Sequence, residues 1–167
     1  MKNLLIALVV LLVIAAGCKM GYSLNGASIP VEAKTVSVQY FVNNSSLAPP
    51  TLSQLFTEAL KDICASQTRL GLVAKGGDLS FEGSITDYKV TPLAIQTNDQ
   101  AALNRLTVTV NVKYSNKFDE KKNFESTFTR YADYSASLNL ASQEPTLIPQ
   151  INKELTEDIF NKAFNNW

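Results

Sequence analysis

From Leu106 to Ser115 the chain alternates without a fault. Leu106, Val108, Val110, Val112 and Tyr114 fall on one side, and Thr107, Thr109, Asn111, Lys113 and Ser115 on the other. A period of two sustained over this length predicts a β-strand with one buried and one polar face. A strand polar on one side does not belong in a fully sandwiched parallel sheet. The rest of the chain must therefore cover a single face of the sheet.

Two segments have the pattern to do so. In the first, Thr51 and Gln54 have the spacing of a capping box. Leu52, Leu55, Phe56, Ala59, Leu60, Ile63 and Cys64 then recur at spacings of three and four, which predicts a helix to about Thr68 with one apolar stripe. In the second, Ile148, Ile151, Leu155, Ile159, Ala163 and Trp167 recur in the same way, flanked by Leu147 and Phe160. Pro145 and Pro149 are expected at or before the first turn of that helix, where a missing N–H costs little.

Three further strands are predicted. Thr35–Phe41 alternates, with Val36, Val38 and Tyr40 sharing a face. In Leu79–Thr91, Leu79, Phe81 and Ile85 share one phase and Tyr88 and Val90 the other, which predicts a bulge near Thr86-Asp87. Phe124–Tyr134 alternates less cleanly and suits an edge. Pro92–Asn104 reads as a long connection, and Asn116–Asn123 as a charged turn. The expected fold is α+β in the order β-α-β-β-β-α, two helices packed on one face of a mixed four-stranded sheet. The first two strands are parallel through a right-handed crossover, and the others form an antiparallel meander. The uncovered face holds Thr107, Thr109, Asn111, Lys113 and Arg130.

The N-terminus concerns placement rather than fold. Lys2 precedes an apolar run, Leu4–Ala16, too short to span a bilayer but suited to a signal-peptide core. It ends in Ala15-Ala16-Gly17-Cys18, small residues leading into a cysteine, as in a bacterial lipobox where the thiol is acylated and becomes the new N-terminus. An ordinary secretory cleavage at the same small residues is the other reading. The organisation follows as residues 1–17 signal peptide, 18–30 lipidated tether and 31–167 a single α+β domain. The only other cysteine is Cys64, so acylation of Cys18 leaves no intramolecular disulfide and the fold rests on its core.

Catalytic chemistry is sparsely provided for. The chain has no histidine, which removes Ser-His-Asp and Cys-His arrangements and the commonest metal ligand. Cys64 lies in an apolar stripe and reads as a small buried hydrophobe. Asp119-Glu120 and Glu157-Asp158 are adjacent pairs on a turn and a helix, not converging ones. No phosphate loop or dinucleotide fingerprint occurs. Acidic and basic residues balance at 15 each, without a nucleic-acid footprint. The reading is a non-enzyme without cofactor or metal. Lys89, Arg105, Lys113 and Arg130 lie on or beside strands and could form a cationic patch for phosphorylated or carboxylated ligands.

Taken together, several runs carry a resemblance: Gly21-Tyr22-Ser23-Leu24-Asn25-Gly26 after the cysteine, TVSVQYF at Thr35–Phe41, TLSQLFTEALKD at Thr51–Asp62, FEGSITDYKVTPLAI at Phe81–Ile95, the ALNRLTVTVNVKY strand, and the closing DIFNKAFNNW. The chain resembles the LPS-assembly lipoprotein LptE family in its Bacteroidota form, over essentially the whole mature sequence. The resemblance implies an outer-membrane lipoprotein anchored on the periplasmic side. It sits within the lumen of the β-barrel LptD as a 1:1 plug and supports lipopolysaccharide insertion into the outer leaflet. It also implies lipopolysaccharide binding, for which Arg105 and Lys113 are nominated, and lipid attachment at Cys18. The alternative is a periplasmic lipoprotein that binds a small ligand or scaffolds another envelope protein.

Overall fold

The computed structural model describes residues 29–93 and 102–164. Expectations for Cys18, the tether before Ile29, the middle of the 92–104 connection and Trp167 fall outside them. The elements are β1 (Thr35–Val38), β2 (Val42–Asn43), α1 (Leu52–Gln67), β3 (Gly71–Val73), β4 (Leu79–Leu93), β5 (Leu103–Asn116), a 3-10 turn (Glu120–Lys122), β6 (Phe124–Ser135) and α2 (Leu140–Phe164). The sheet runs β3-β1-β4-β5-β6, with β2 also on β4, so it has six strands where four were expected. The difference comes from short pieces: β2 continues β1, and β3 adds a three-residue edge. The α+β class and the covered face stand. β1 is parallel to β3 and β4, whereas β4, β5 and β6 form the antiparallel meander.

The alternation of β5 is realised as read. Leu106, Val108, Val110, Val112 and Tyr114 are buried beneath the helices. In β4 the register shifts between Ile85 and Asp87, so Tyr88 rejoins the buried face, as the phase change required. The meander reaches further than the sequence pattern indicated. Pro92 pairs with Asn104 and Leu93 with Leu103, which shortens the connection from both sides. Beyond Ile85, β4 has no second neighbour among the described residues, and a proline is tolerated on such an edge.

Three local expectations are corrected. Thr51 does not cap α1 with its side chain. Its backbone is already helical, at φ −75° and ψ −17°, so the hydroxyl cannot fold back over the turn. The Leu52 N–H instead donates to the Pro49 carbonyl, and Gln54 donates to Glu58. Tyr40 does not share a face with Val36 and Val38. An extra residue between β1 and β2 turns it out to solvent and swings Phe41 into the core. There the Phe41 N–H donates to the buried Thr57 hydroxyl at 3.1 Å. Its ring meets Phe56 edge-on and lies over Gly83, where a Cβ would stand 2.7 Å from it.

The third correction concerns α2, which starts at Leu140 rather than at a proline. The Asn139 side chain accepts from the Ala141 N–H, and both prolines lie inside the helix. Pro145, Pro149 and Ala141 are exposed, so the carbonyls of Ala141 and Pro145 that lose a helical donor can turn to water. The opposite stripe of α2, Leu147, Ile148, Ile151, Leu155, Ile159, Phe160 and Ala163, is buried throughout.

The connection from β3 to β4 must cross β1, which lies between them. It does so at Gly76-Gly77. Gly76 has φ 69°, and a Cβ on Gly77 would stand 2.6 Å from the Ser37 nitrogen and 2.8 Å from the Val36 carbonyl carbon. Only a glycine lies that close on a strand's backbone. The Ser37 hydroxyl accepts from the Gly77 N–H beneath the crossing. Asp78 then accepts from the backbone N–H groups of Lys34 and Thr35 and from the Thr35 hydroxyl, at 2.8 to 3.0 Å. These bonds, that from Lys34 above all, hold its carboxyl below the usual carboxylate range.

Candidate functional site

The candidate site is the sheet face that no described element covers along the meander. The registers place Glu82, Ser84, Asp87, Lys89 and Thr91 of β4 on it, with Arg105 through Lys113 in alternate positions of β5 and Glu125, Thr127, Thr129, Tyr131 and Asp133 of β6. Its centre is hydroxyl and amide chemistry, and the Thr109 and Thr129 hydroxyls lie 3.1 Å apart. Such side chains leave the surface wetted and flat while the opposite face carries the core.

Two of its cations, Arg105 and Lys113, are held. Arg105 forms a two-pronged pair with Asp133, at 2.7 and 2.9 Å, and its guanidinium stacks 3.6 Å from the centre of the Tyr131 ring. The guanidinium holds the Asp133 carboxyl below its ordinary range, and the carboxylate in turn raises the pKa of Arg105. Lys113 lies 3.1 Å from Glu82, which also receives the Gln39 amide. Arg105 and Lys113 are eight residues apart on one strand, about 27 Å at the usual rise, and cannot grip one phosphate together.

Arg130, expected on this face, lies on the other one. It is in phase with Phe124, Phe128 and Ala132 and makes a two-pronged pair with Asp158 of α2, at 2.6 and 2.8 Å. The single cationic patch of Lys89, Arg105, Lys113 and Arg130 is therefore not assembled. Lys89 shares the open face beside Thr107, the neighbour of Arg105 on that side. Sequence reasoning missed the carboxylates that occupy these cations, and Tyr131. The signal was the hairpin register: once β4, β5 and β6 are aligned, Glu82 faces Lys113 and Asp133 faces Arg105.

Between helices and sheet the described residues form a continuous buried core. Val36, Phe56, Leu60, Phe81, Ile85 and Ile151 are fully buried, and Phe81, Tyr114 and Phe164 pack with ring centres 4.9 to 6.0 Å apart. A groove of about 470 Å³ lies instead on the outer side of the helix pair, between Leu55 and Asp62 of α1 and Pro149 and Thr156 of α2. Cys64 is buried in the α1 stripe, and burial pushes its thiol up to about 12, away from the thiolate a nucleophile needs. Among the described residues there is no group of three or more acidic or cysteine side chains arranged to hold a metal ion, and no helix long and apolar enough to cross a membrane.

Fold and face together define a class: a small α+β domain with one side packed by its helices and one broad polar side. Solved structures of the same fold include a minor lipoprotein from Acinetobacter baumannii, 15% identical, covering 80% of this chain and 97% of that one with a TM-score of 0.51. A hypothetical protein from Chlamydia trachomatis is 13% identical, covering 78% of this chain and 98% of that one with a TM-score of 0.52. Among curated proteins none matches the chain in sequence. The family model for LptE, lipopolysaccharide-assembly, matches residues 33–163, and the chain belongs to the LptE family of envelope lipoproteins.

Proposed function

We propose that this chain is an outer-membrane lipoprotein, acylated at Cys18 after removal of residues 1–17, that plugs and supports the barrel LptD while lipopolysaccharide passes to the outer leaflet. The observation that carries the reading is the pairing of a filled core with an open polar sheet face. A domain that must stand in a watery lumen needs a wetted wall and no internal cavity, whereas a small-ligand carrier needs a pocket between helices and sheet. One acyl chain holds a protein only marginally, so the several chains of a mature lipoprotein and the barrel contact act together.

On the open face Arg105 and Lys113 are offered to lipid A phosphates, and a phosphate must displace Asp133 or Glu82 to reach them. Capture of lipopolysaccharide by Arg105→Ala and Lys113→Ala should fall below that of the parent; equal capture by both removes them from the site. The reading as a whole is tested by affinity capture from detergent-solubilised outer membrane. A β-barrel partner in 1:1 ratio is expected, with loss of that barrel on deletion. Capture without any barrel, and an unaltered barrel level on deletion, would overturn it.

A further inference from the structure

The groove on the outer side of the helix pair holds an unmade hydrogen bond. Asn152 of α2 lines it and is 2% exposed, yet its side-chain oxygen has no hydrogen-bond partner among the described residues. Ser53 and Asn116 also bury an unpartnered side-chain atom, but neither lines this groove. A buried carboxamide left in this state is a cost to the fold, which a leucine between two packed helices would not carry. Its use therefore lies in what enters the groove from outside the domain.

Leu55, Ala59 and Ile63 of α1 and Pro149 of α2 give the groove apolar walls, and Leu55 is 41% exposed. Its charged lining residues are Glu58, Asp62 and Glu157 against Lys153, three negative charges to one positive. Among the described residues no ion pair engages those three carboxylates, and they are not gathered closely enough to hold a metal ion. Negative charge spread along apolar walls, with a buried acceptor beneath, suits a long basic side chain. Its stem lies on the apolar walls while its head donates to Asn152 and faces the carboxylates. Arginine fits better than lysine, because its planar fork serves an amide oxygen and a carboxylate together.

The source of that side chain follows from the barrel placement proposed above. Outer-membrane barrels present polar side chains to their lumen. With the open sheet face lining the watery route, the grip on the wall falls to the other side of the domain, which the helix pair forms. We infer that the groove between α1 and α2 is the docking site for a basic side chain projecting from the lumen wall of the barrel. The inference rests on that placement and adds to it the surface and the chemistry by which the barrel holds the domain.

The test is affinity capture of the full chain from detergent-solubilised outer membrane, read as barrel per captured chain over a series of salt concentrations. Asn152→Leu should hold the barrel about tenfold less well, the factor of one hydrogen bond to a charged donor. Asp62→Asn with Glu157→Gln should weaken capture and flatten its salt dependence, whereas Glu32→Gln with Glu120→Gln, exposed carboxylates outside the groove, should match the parent. The Asp62 and Glu157 pair alters only exposed side chains, so it decides the case in which leucine at 152 disturbs the helix packing. A photocrosslinker in place of Leu55 should join the chain to the barrel. A barrel held as tightly by both groove variants as by the parent, with no crosslink from position 55, overturns the docking site and leaves the plug in place. Parental salt dependence in the double variant overturns a basic side chain as the occupant. A parent that captures no barrel overturns the placement itself.

Discussion

Gly83→Ala is the substitution whose effect the structure fixes most closely. A Cβ there would overlap the Asn111 carbonyl oxygen of β5 and stand 2.7 Å from the Phe41 ring. The Phe41 ring can rotate away only by giving up its edge-on contact with Phe56, at 4.9 Å between centres and 65°. The carbonyl belongs to a central strand paired on both sides and cannot retreat. Overpacking of this kind costs about 1–3 kcal/mol, and loss of the aromatic pair adds about 0.5–1.5 kcal/mol. The restricted unfolded chain returns about 0.4–1 kcal/mol. The net destabilisation is then centred on about 2 kcal/mol, within about 0.5–4 kcal/mol, and its central value lowers the melting temperature by roughly 5–10 °C in a domain of this size. Urea titration with circular dichroism reads the shift directly. Gly71→Ala is the matched control, because its Cβ would meet only the Lys34 carbonyl oxygen at 3.6 Å. Phe41→Leu should be less costly in the Gly83→Ala background than alone. If Gly83→Ala melts with Gly71→Ala, the account of Phe41 seated over a bare backbone is wrong.

Acid should unfold the domain through Asp78 and Asp133. Both carboxyls are held below their unfolded value of about 3.9. Their contribution is therefore full above about pH 5 and is lost as pH falls through the folded values; Asp78→Asn and Asp133→Asn should each flatten that acid limb, and unchanged curves would sink the assignment. Tyr88 donates to Glu144 at 2.7 Å and fastens the first turns of α2 to β4. Tyr88→Phe should cost about 1 kcal/mol and speed amide exchange in residues 140–144 while leaving the middle of α2 protected. Cys64 should resist thiol reagents at pH 8 in a Cys18→Ser chain until the domain opens, so labelling at the rate of a free thiol would contradict its burial.

Periodicity made the elements legible where one face is buried and the other is not. β5 and the α2 stripe were readable residue by residue for that reason, and the bulge at Ile85/Asp87 showed itself as a change of phase. What escaped the sequence depends on neighbours distant in the chain. Tyr40 and Phe41 exchanged roles because Gly83, some forty residues on, leaves room for a ring. Arg130 is expected on the polar face, although Phe124, Phe128 and Ala132 set its phase. Its charge is accommodated because α2 brings Asp158 over it. β2 and β3 are too short to show a period at all. At the candidate site the polar face was readable from β5 alone, but the carboxylates on its cations emerge only from strand register.

The glycine crossing beside β1 bears on how the domain carries load. If the chain is anchored at Cys18 as proposed, tension from the membrane enters at Lys34 and Thr35 and runs along β1. That strand has β3 on one side and β4 on the other, both parallel to it. Pulled along its own axis, it loads the ladder bonds on both edges at once instead of opening them one after another. The Asp78 carboxylate grips the point where tension enters, and the Gly76-Gly77 segment lies across the strand just beyond. Tension applied through such an anchor would therefore meet the sheet in shear, its stiffest direction, at a place braced from three sides.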